Sequence, residues 1–195
     1  MLPPLPAVRL LGLTGAPGVG KSTLAAALGL PVVPMDGFHY ADVELARRGL
    51  RARKGAPDTF DAPGYAALLR RVRAGEADLV APMFERDLEQ PLAGAIAVPP
   101  TGTVLTEGNY LLLDEPRWRA ARAEVEVVWH LHVDDGVRRA RLIERHERFG
   151  KTPQEARAWV ARVDEPNARL VAAAADRADL VLDLTAWAPP RTDPG

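Results

Sequence analysis

Between Val8 and Leu28 the chain passes from an apolar run, through a glycine-rich turn, into a series of helix formers. The turn reads Gly15-Ala16-Pro17-Gly18-Val19-Gly20-Lys21-Ser22. It satisfies the spacing G-x-x-x-x-G-K-[ST] at every fixed position, in the strand-then-helix context that gives that spacing its meaning. The glycines let successive main-chain N–H groups turn inward around an anion, and a helix opening at Lys21 adds the positive end of its dipole. Lys21 is then placed to reach the β- and γ-phosphates of a nucleoside triphosphate and Ser22 to hold Mg²⁺. Thr23 completes a nucleotide-binding set that runs from Gly15, Ala16, Pro17, Gly18, Val19 and Gly20 through Lys21 and Ser22. An ordinary Gly/Pro turn would need neither the apolar run before it nor the helix formers Leu24 to Leu28 after it.

The rest of the chain alternates strand and helix patterns as an α/β domain does. Residues 31–35 read as a short strand ending at Asp36, 62–74 as a helix with Tyr65, Leu68, Leu69 and Val72 on one side, and 103–106 as a brief strand before Glu107. Residues 125–133 are nearly continuous apolar positions, which suits a strand buried on both faces. Three helices are expected over 135–149, 153–163 and 166–175, and a last strand over 180–184. With 195 residues and 47% apolar content, one core and one domain over 1–188 are expected, followed by a proline-rich tail over 189–195.

In open parallel sheets the ligand sits beyond the carboxyl ends of the strands. There the sequence places Asp36-Gly37-Phe38-His39 and Glu107-Gly108-Asn109-Tyr110 beside the phosphate loop. Asp36 can accept the proton of an attacking hydroxyl, and Glu107 can hold Mg²⁺ or its water; a turn residue or helix cap is the plainer role for either. His39, Asn109 and Tyr110 fall on the substrate side of the same strand ends. The unperiodic stretch from Arg51 to Asp61 suits a substrate loop: Phe60 offers a stacking face, Asp61 can bond substrate hydroxyls, and Arg53 or Lys54 can neutralise a negative group. Asp61 also fits the N-cap of the helix that follows. Arginines 138, 139, 141, 145 and 148 give the helix expected over 135–149 a positive side. Glu144 and Glu147 can pair with some of them, which leaves Arg145 and Arg148 to reach a transferring phosphoryl group from a closing lid.

Composition narrows the partners. Only Lys21, Lys54 and Lys151 are lysines among 25 basic residues, so a lysine marks a specific need, as it does between phosphates, and Lys54 and Lys151 become candidates for anion contact. A formal net charge of −1 gives no field for a polyanion, so nucleic acid is not an expected partner. The absence of cysteine excludes disulfides and thiolate chemistry. No stretch approaches the roughly 20 apolar residues of a membrane span, so no membrane partner is expected and the reading is cytoplasmic. His130 and His132 alternate on one strand face, where packing explains them better than metal ligation. A homodimer is left open.

Taken together, the phosphate loop, Asp36-Gly37-Phe38-His39, the segment from Arg53 to Asp61, Glu107-Gly108-Asn109-Tyr110 and the arginine-rich helix resemble the phosphoribulokinase, uridine kinase and bacterial pantothenate kinase superfamily. The likeness spans residues 8–184 and points most to short bacterial members described as nucleoside or nucleotide kinase-like. The resemblance implies a P-loop NTPase fold: α/β, with a parallel five-stranded sheet flanked by helices and a small arginine-bearing lid over about 145–156. It implies ATP and Mg²⁺ as cofactors and phosphoryl transfer to a hydroxyl of a small molecule such as a nucleoside, a sugar or a pantothenate-like acceptor. By the same resemblance Asp36 is the general base, Lys21 and Ser22 the phosphate and Mg²⁺ contacts, Glu107 the Walker-B-like acid, Asp61 a substrate-hydroxyl ligand and Arg145 a lid arginine. Uridine kinases carry an acidic residue after the lid arginine; here His146 follows Arg145. A GTPase-type switch would need Asn-Lys-x-Asp, which the chain lacks, and a non-catalytic ATP-binding module would have no use for Asp36 and Glu107 together.

Overall fold

Alternating apolar residues put both faces of the central strands to use. In β1 (Leu10–Gly15) Leu10 points into one apolar cluster while Leu11 and Leu13 point into another on the opposite face, and all three are fully buried. Such period-two burial on both sides requires helices above and below the sheet. The computed structural model describes residues 2–189. Residues 190–195 of the expected tail lie outside them.

After β1 come α1 (Lys21–Leu28), β2 (Val32–Pro34), α2 (Asp42–Arg47), α3 (Ala62–Arg73), β3 (Leu79–Glu85) and β4 (Gln90–Val98). Then follow β5 (Val104–Glu107), α4 (Pro116–Arg122), β6 (Val127–His132), α5 (Asp135–Arg148), α6 (Pro153–Trp159), α7 (Glu165–Ala172) and β7 (Leu180–Asp183). Five strands pair in parallel in the order β2-β5-β1-β6-β7, so the strand that feeds the phosphate loop lies at the centre. This is the five-stranded parallel sheet that the resemblance implied. Helix α3 is built as its pattern predicts: Asp61 accepts from the Gly64 amide at 3.0 Å, Pro63 occupies the first turn, and Tyr65, Leu68, Leu69 and Val72 are buried. Helices α3, α4 and α7 contribute to one cluster, with Tyr65, Trp118 and Val171, and α1 to the other, with Leu24 and Ala25.

Several local elements differ from the sequence expectation. The edge strand β2 stops at Pro34, and Met35–Phe38 form a 3₁₀ turn, so Asp36 sits on a helical turn rather than at a strand tip. The His39 amide closes that turn on the Asp36 carbonyl at 3.2 Å. Residues 153–172, expected as two helices, run on through a single wide π turn at Val160–Asp164, because Pro166 falls in the first turn of α7 and leaves the preceding carbonyls without their usual donor. The antiparallel hairpin of β3 and β4, with a register shift at Pro82, was not anticipated at all. Prolines at 82 and 91 and Gly94 interrupt the alternation by which such strands are read.

The hairpin is pressed onto the turn that carries Asp36. A Cβ added to Gly37 would stand 2.3 Å from the Pro82 carbonyl oxygen and 3.1 Å from the Met83 nitrogen. From the other side, a Cβ at Gly108 would stand 2.5 Å from the Met35 Cβ. Gly37→Ala is therefore expected to destabilise the fold by about 1–3 kcal/mol through overpacking. Denaturant unfolding measures this, and an unchanged midpoint would show that the hairpin does not rest on the turn.

Candidate active site

The phosphate loop is shaped from both ends. Gly18 and Gly20 take left-handed conformations, with φ of 81° and 100°, so the main chain curls toward the N-terminus of α1. Helix α5 braces the loop from behind: a Cβ at Gly18 would stand 2.7 Å from Leu142 Cγ, and the buried Arg138 guanidinium reaches the Pro17 carbonyl at 3.5 Å. Arg138 is in turn held by Asp135 at 3.0 Å and by Glu165 of α7.

At the mouth of this curl the Lys21 ammonium donates to the Gly15 carbonyl at 3.0 Å, to the Ala16 carbonyl at 3.4 Å and to Asn109 Oδ1 at 2.6 Å. Burial pulls the Lys21 pKa down, and the negative charges of Glu107 and Asp36 work against that shift. Ser22 Oγ donates to Glu107 Oε1 at 3.3 Å. Glu107, at the end of β5, is buried; burial first, and the Asp36 charge second, push its carboxyl pKa up. A hydroxyl and a buried carboxylate side by side are the hard oxygen donors that Mg²⁺ takes, and a cation there would relieve the cost of charging Glu107. The observed donor set thus fits the metal.

These groups face one cavity of about 590 Å³. Its floor is the loop from Pro17 to Thr23, and Asp36, Glu107 and Asn109 stand on one wall. Arg141, Arg145 and Arg148 approach from α5, and Arg86 from the tip of the β3–β4 hairpin. Burial, and next the nearby Arg86 charge, lower the Arg145 pKa. Leu184 and Trp187 add apolar surface to the lining.

Not every residue singled out in the sequence arrives there. Phe60 is buried, with ring centroids 3.9 Å from His39, 5.6 Å from Tyr110 and 5.9 Å from Trp118, so no face remains for stacking. Asp61 caps α3 from an exposed position. Lys54 pairs with Asp42 at 2.8 Å, and Arg53 pairs with Asp58 at 3.0 Å. The Lys151 ammonium lies 4.9 Å over the Trp159 ring. Tyr110 is buried, and its hydroxyl donates to the Gly55 carbonyl. His39 stands behind Asp36 with Nδ1 2.8 Å from the Asp36 carbonyl oxygen, and burial lowers its pKa. Arg148 reaches the cavity while paired with Glu144 at 3.0 Å. Sequence reasoning missed Arg86 and the wall residues Leu184, Phe149 and Trp187. Arginine is this chain's default cation, so its composition gave no signal for Arg86, and nothing local marked its segment as a hairpin.

A glycine curl at the end of a central parallel strand, with a lysine and a hydroxyl leading into a helix, defines a P-loop nucleotide-binding protein. No protein-family model matches the chain. A candidate uridine kinase of Schizosaccharomyces pombe, C227.14, is 39% identical over 154 residues, which cover 70% of this chain and 66% of that protein, just under two thirds of its length. The uncharacterized protein YggC of Escherichia coli K12 is 34% identical over 184 residues, 89% of this chain and 76% of YggC. Among solved structures, a candidate fructose transport system kinase from Silicibacter sp. TM1040 superposes with a TM-score of 0.80 at 40% identity, covering 93% of each chain. The chain belongs to the P-loop kinases of the phosphoribulokinase, uridine kinase and pantothenate kinase superfamily, phosphotransferases that use a hydroxyl as acceptor. Their substrates are small molecules, and no helix among the described residues is long and apolar enough to cross a membrane.

The burial of Glu107 has a measurable consequence. Folding raises its pKa above the ordinary 4.5, so the folded state holds the proton more tightly and loses stability as pH rises through that value. Glu107→Gln keeps an oxygen for Ser22 and removes the buried charge. Without nucleotide the variant is expected to melt about 2–4 °C above the parent at neutral pH, with the difference shrinking in acid. Equal melting at both pH values would mean that the charge carries no burial cost.

Proposed function

We propose that this chain transfers the γ-phosphoryl group of ATP to the hydroxyl of a nucleoside, sugar or pantothenate-like acceptor. The reading rests on one observation: Lys21, Ser22, Glu107 and Asp36 share a single cavity, which arginines of α5 also line. The loop amides and Lys21 hold the triphosphate, and Ser22 with Glu107 holds Mg²⁺. When bound, the metal neutralises charge on the phosphates. Phosphoryl transfer proceeds through a loose transition state, so the protein contributes mainly alignment and charge neutralisation.

Asp36 lines the same cavity as the loop and, in this reading, aligns the acceptor hydroxyl and takes its proton. The 3₁₀ turn fixes it, the His39 ring lies behind it, and the hairpin packs against it. Arg145 reaches the transferring group from α5, and residues of about 145–156 act as a lid over it. The Lys21–Asn109 contact at 2.6 Å is exchanged for phosphate oxygens when nucleotide enters. Arg53, Lys54, Phe60 and Asp61 shape the acceptor side from behind rather than by direct contact, because ion pairs, core packing and the cap already engage them.

Coupled ADP release with a panel of nucleosides, sugars and pantothenate tests the reaction. With the acceptor found, Asp36→Asn is expected to lower kcat by about 10²–10⁴-fold while the KM for ATP moves by less than about three-fold. Equal losses in both would remove Asp36 from the chemistry. Lys21→Ala is expected to weaken ATP binding by at least about ten-fold, read by calorimetry, since a charge-assisted contact to phosphate is lost.

A further inference from the structure

Arg86 is the cleft residue that the kinase mechanism leaves without a task. It stands at the turn between β3 and β4, exposed, and faces the cavity shared by the phosphate loop, Asp36 and Glu107. Its charge is felt at Glu107, which it stabilises in the ionised form, and at Arg145, whose charged form it disfavours. Glu85, Asp87 and Glu89 are its neighbours in sequence, yet among the described residues no carboxylate lies within ion-pairing distance of it. Glu85 is engaged instead by the Asp87 amide at 3.2 Å.

The wall that carries Arg86 is the Asp36 wall. The Gly37–Pro82 contact and the His39–Phe84 ring pair at 4.8 Å bind the hairpin to the 3₁₀ turn and the residue that ends it, while the Asp42 amide donating to Gln90 Oε1 at 3.0 Å and the Lys54 ammonium donating to the Glu89 carbonyl tie it to the segment that follows. The nucleotide side has its own cations in Lys21, Arg141 and Arg145, with Arg148 neutralised by Glu144, set against the carboxylate Glu107. Three cations against one acid already match the charge left on a magnesium-bound triphosphate. Arg86, on the acceptor's side, has no carboxylate within ion-pairing distance among the described residues, so its anion is left to the acceptor to supply.

We propose that the acceptor carries an anionic group, a carboxylate or a phosphate ester, besides the hydroxyl that is phosphorylated, and that Arg86 on the hairpin tip binds it. This rests on the kinase reading above and adds the charge class of the substrate. Arg86 is a specificity residue: it holds the acceptor at a distance from the reacting oxygen, while Asp36 takes the proton and the γ-phosphoryl group passes to the hydroxyl with ADP as leaving group.

The acceptor need not be known for the test. The chain is first saturated with Mg²⁺ and a non-hydrolysable ATP analogue, which fills the nucleotide side, and sulfate or acetate is then titrated in by calorimetry. Saturable anion binding is expected in the parent, weakened about ten-fold or more in Arg86→Ala and largely recovered in Arg86→Lys, with analogue affinity changed by less than about two-fold. Preference for sulfate identifies a phosphate-like group, and preference for acetate a carboxylate. Absence of saturable anion binding by the loaded parent overturns the proposal, and so does equal binding by Arg86→Ala. A loss confined to the analogue also overturns it, by placing Arg86 on the triphosphate. If the analogue itself fails to bind, the kinase reading falls as well; if it binds and the anions do not, that reading survives and only the charge of the acceptor is wrong.

Discussion

The site is organised around one ammonium group held largely out of water. Lys21 is uncomfortable in that position, and what keeps it charged is the pair of acids Glu107 and Asp36 across from it. Glu107 is in turn costly to charge there, because of its burial first and the Asp36 charge second. The three groups form a mutually dependent set whose balance a triphosphate and its metal would complete. Buried charge of this kind contributes little to stability and much to function, since every member is held ready for a ligand that water would otherwise solvate.

The scaffold serves that set. Central β1 delivers the glycine curl, β5 delivers Glu107 and Asn109 one strand away, and the edge strand β2 delivers the turn with Asp36. Helix α5 does two jobs with one sequence pattern. Its inner arginine, Arg138, is tied to Asp135, Glu165 and the Pro17 carbonyl and so clamps the loop, while Arg141 and Arg145 make no ion pair among the described residues and point their charge into the cleft.

Much of this was legible in the sequence, for physical reasons that differ from element to element. The loop was legible because its glycines are required by backbone conformation, and β1, β6 and α3 because their apolar spacing is dictated by two-sided or one-sided burial. Asp36 and Glu107 were legible because carboxylates at strand ends are costly without a use. The segment from Arg51 to Asp61 misled in detail: its charges are consumed by local partners and Phe60 by the core, outcomes fixed by residues as distant as Trp118 that no local pattern can display. The hairpin was hidden because its prolines and glycine break the alternation, and its identity as paired strands comes from tertiary contact with the Asp36 turn.

That contact between Gly37 and the Pro82 carbonyl divides the cleft by chain segment. The half that grips nucleotide is drawn from β1, α1, β5 and α5, while the opposite half is a short excursion held at the Pro82 main chain, the Glu89 carbonyl and the Gln90 side chain. The Glu89 anchor is a carbonyl that any side chain leaves in place, so the side chains from Arg86 to Leu88 can be exchanged without disturbing either the glycine curl or the turn that carries Asp36. A lineage built on this plan has in three residues, Arg86 to Leu88, a stretch it can rewrite while the half that grips nucleotide stays as it stands.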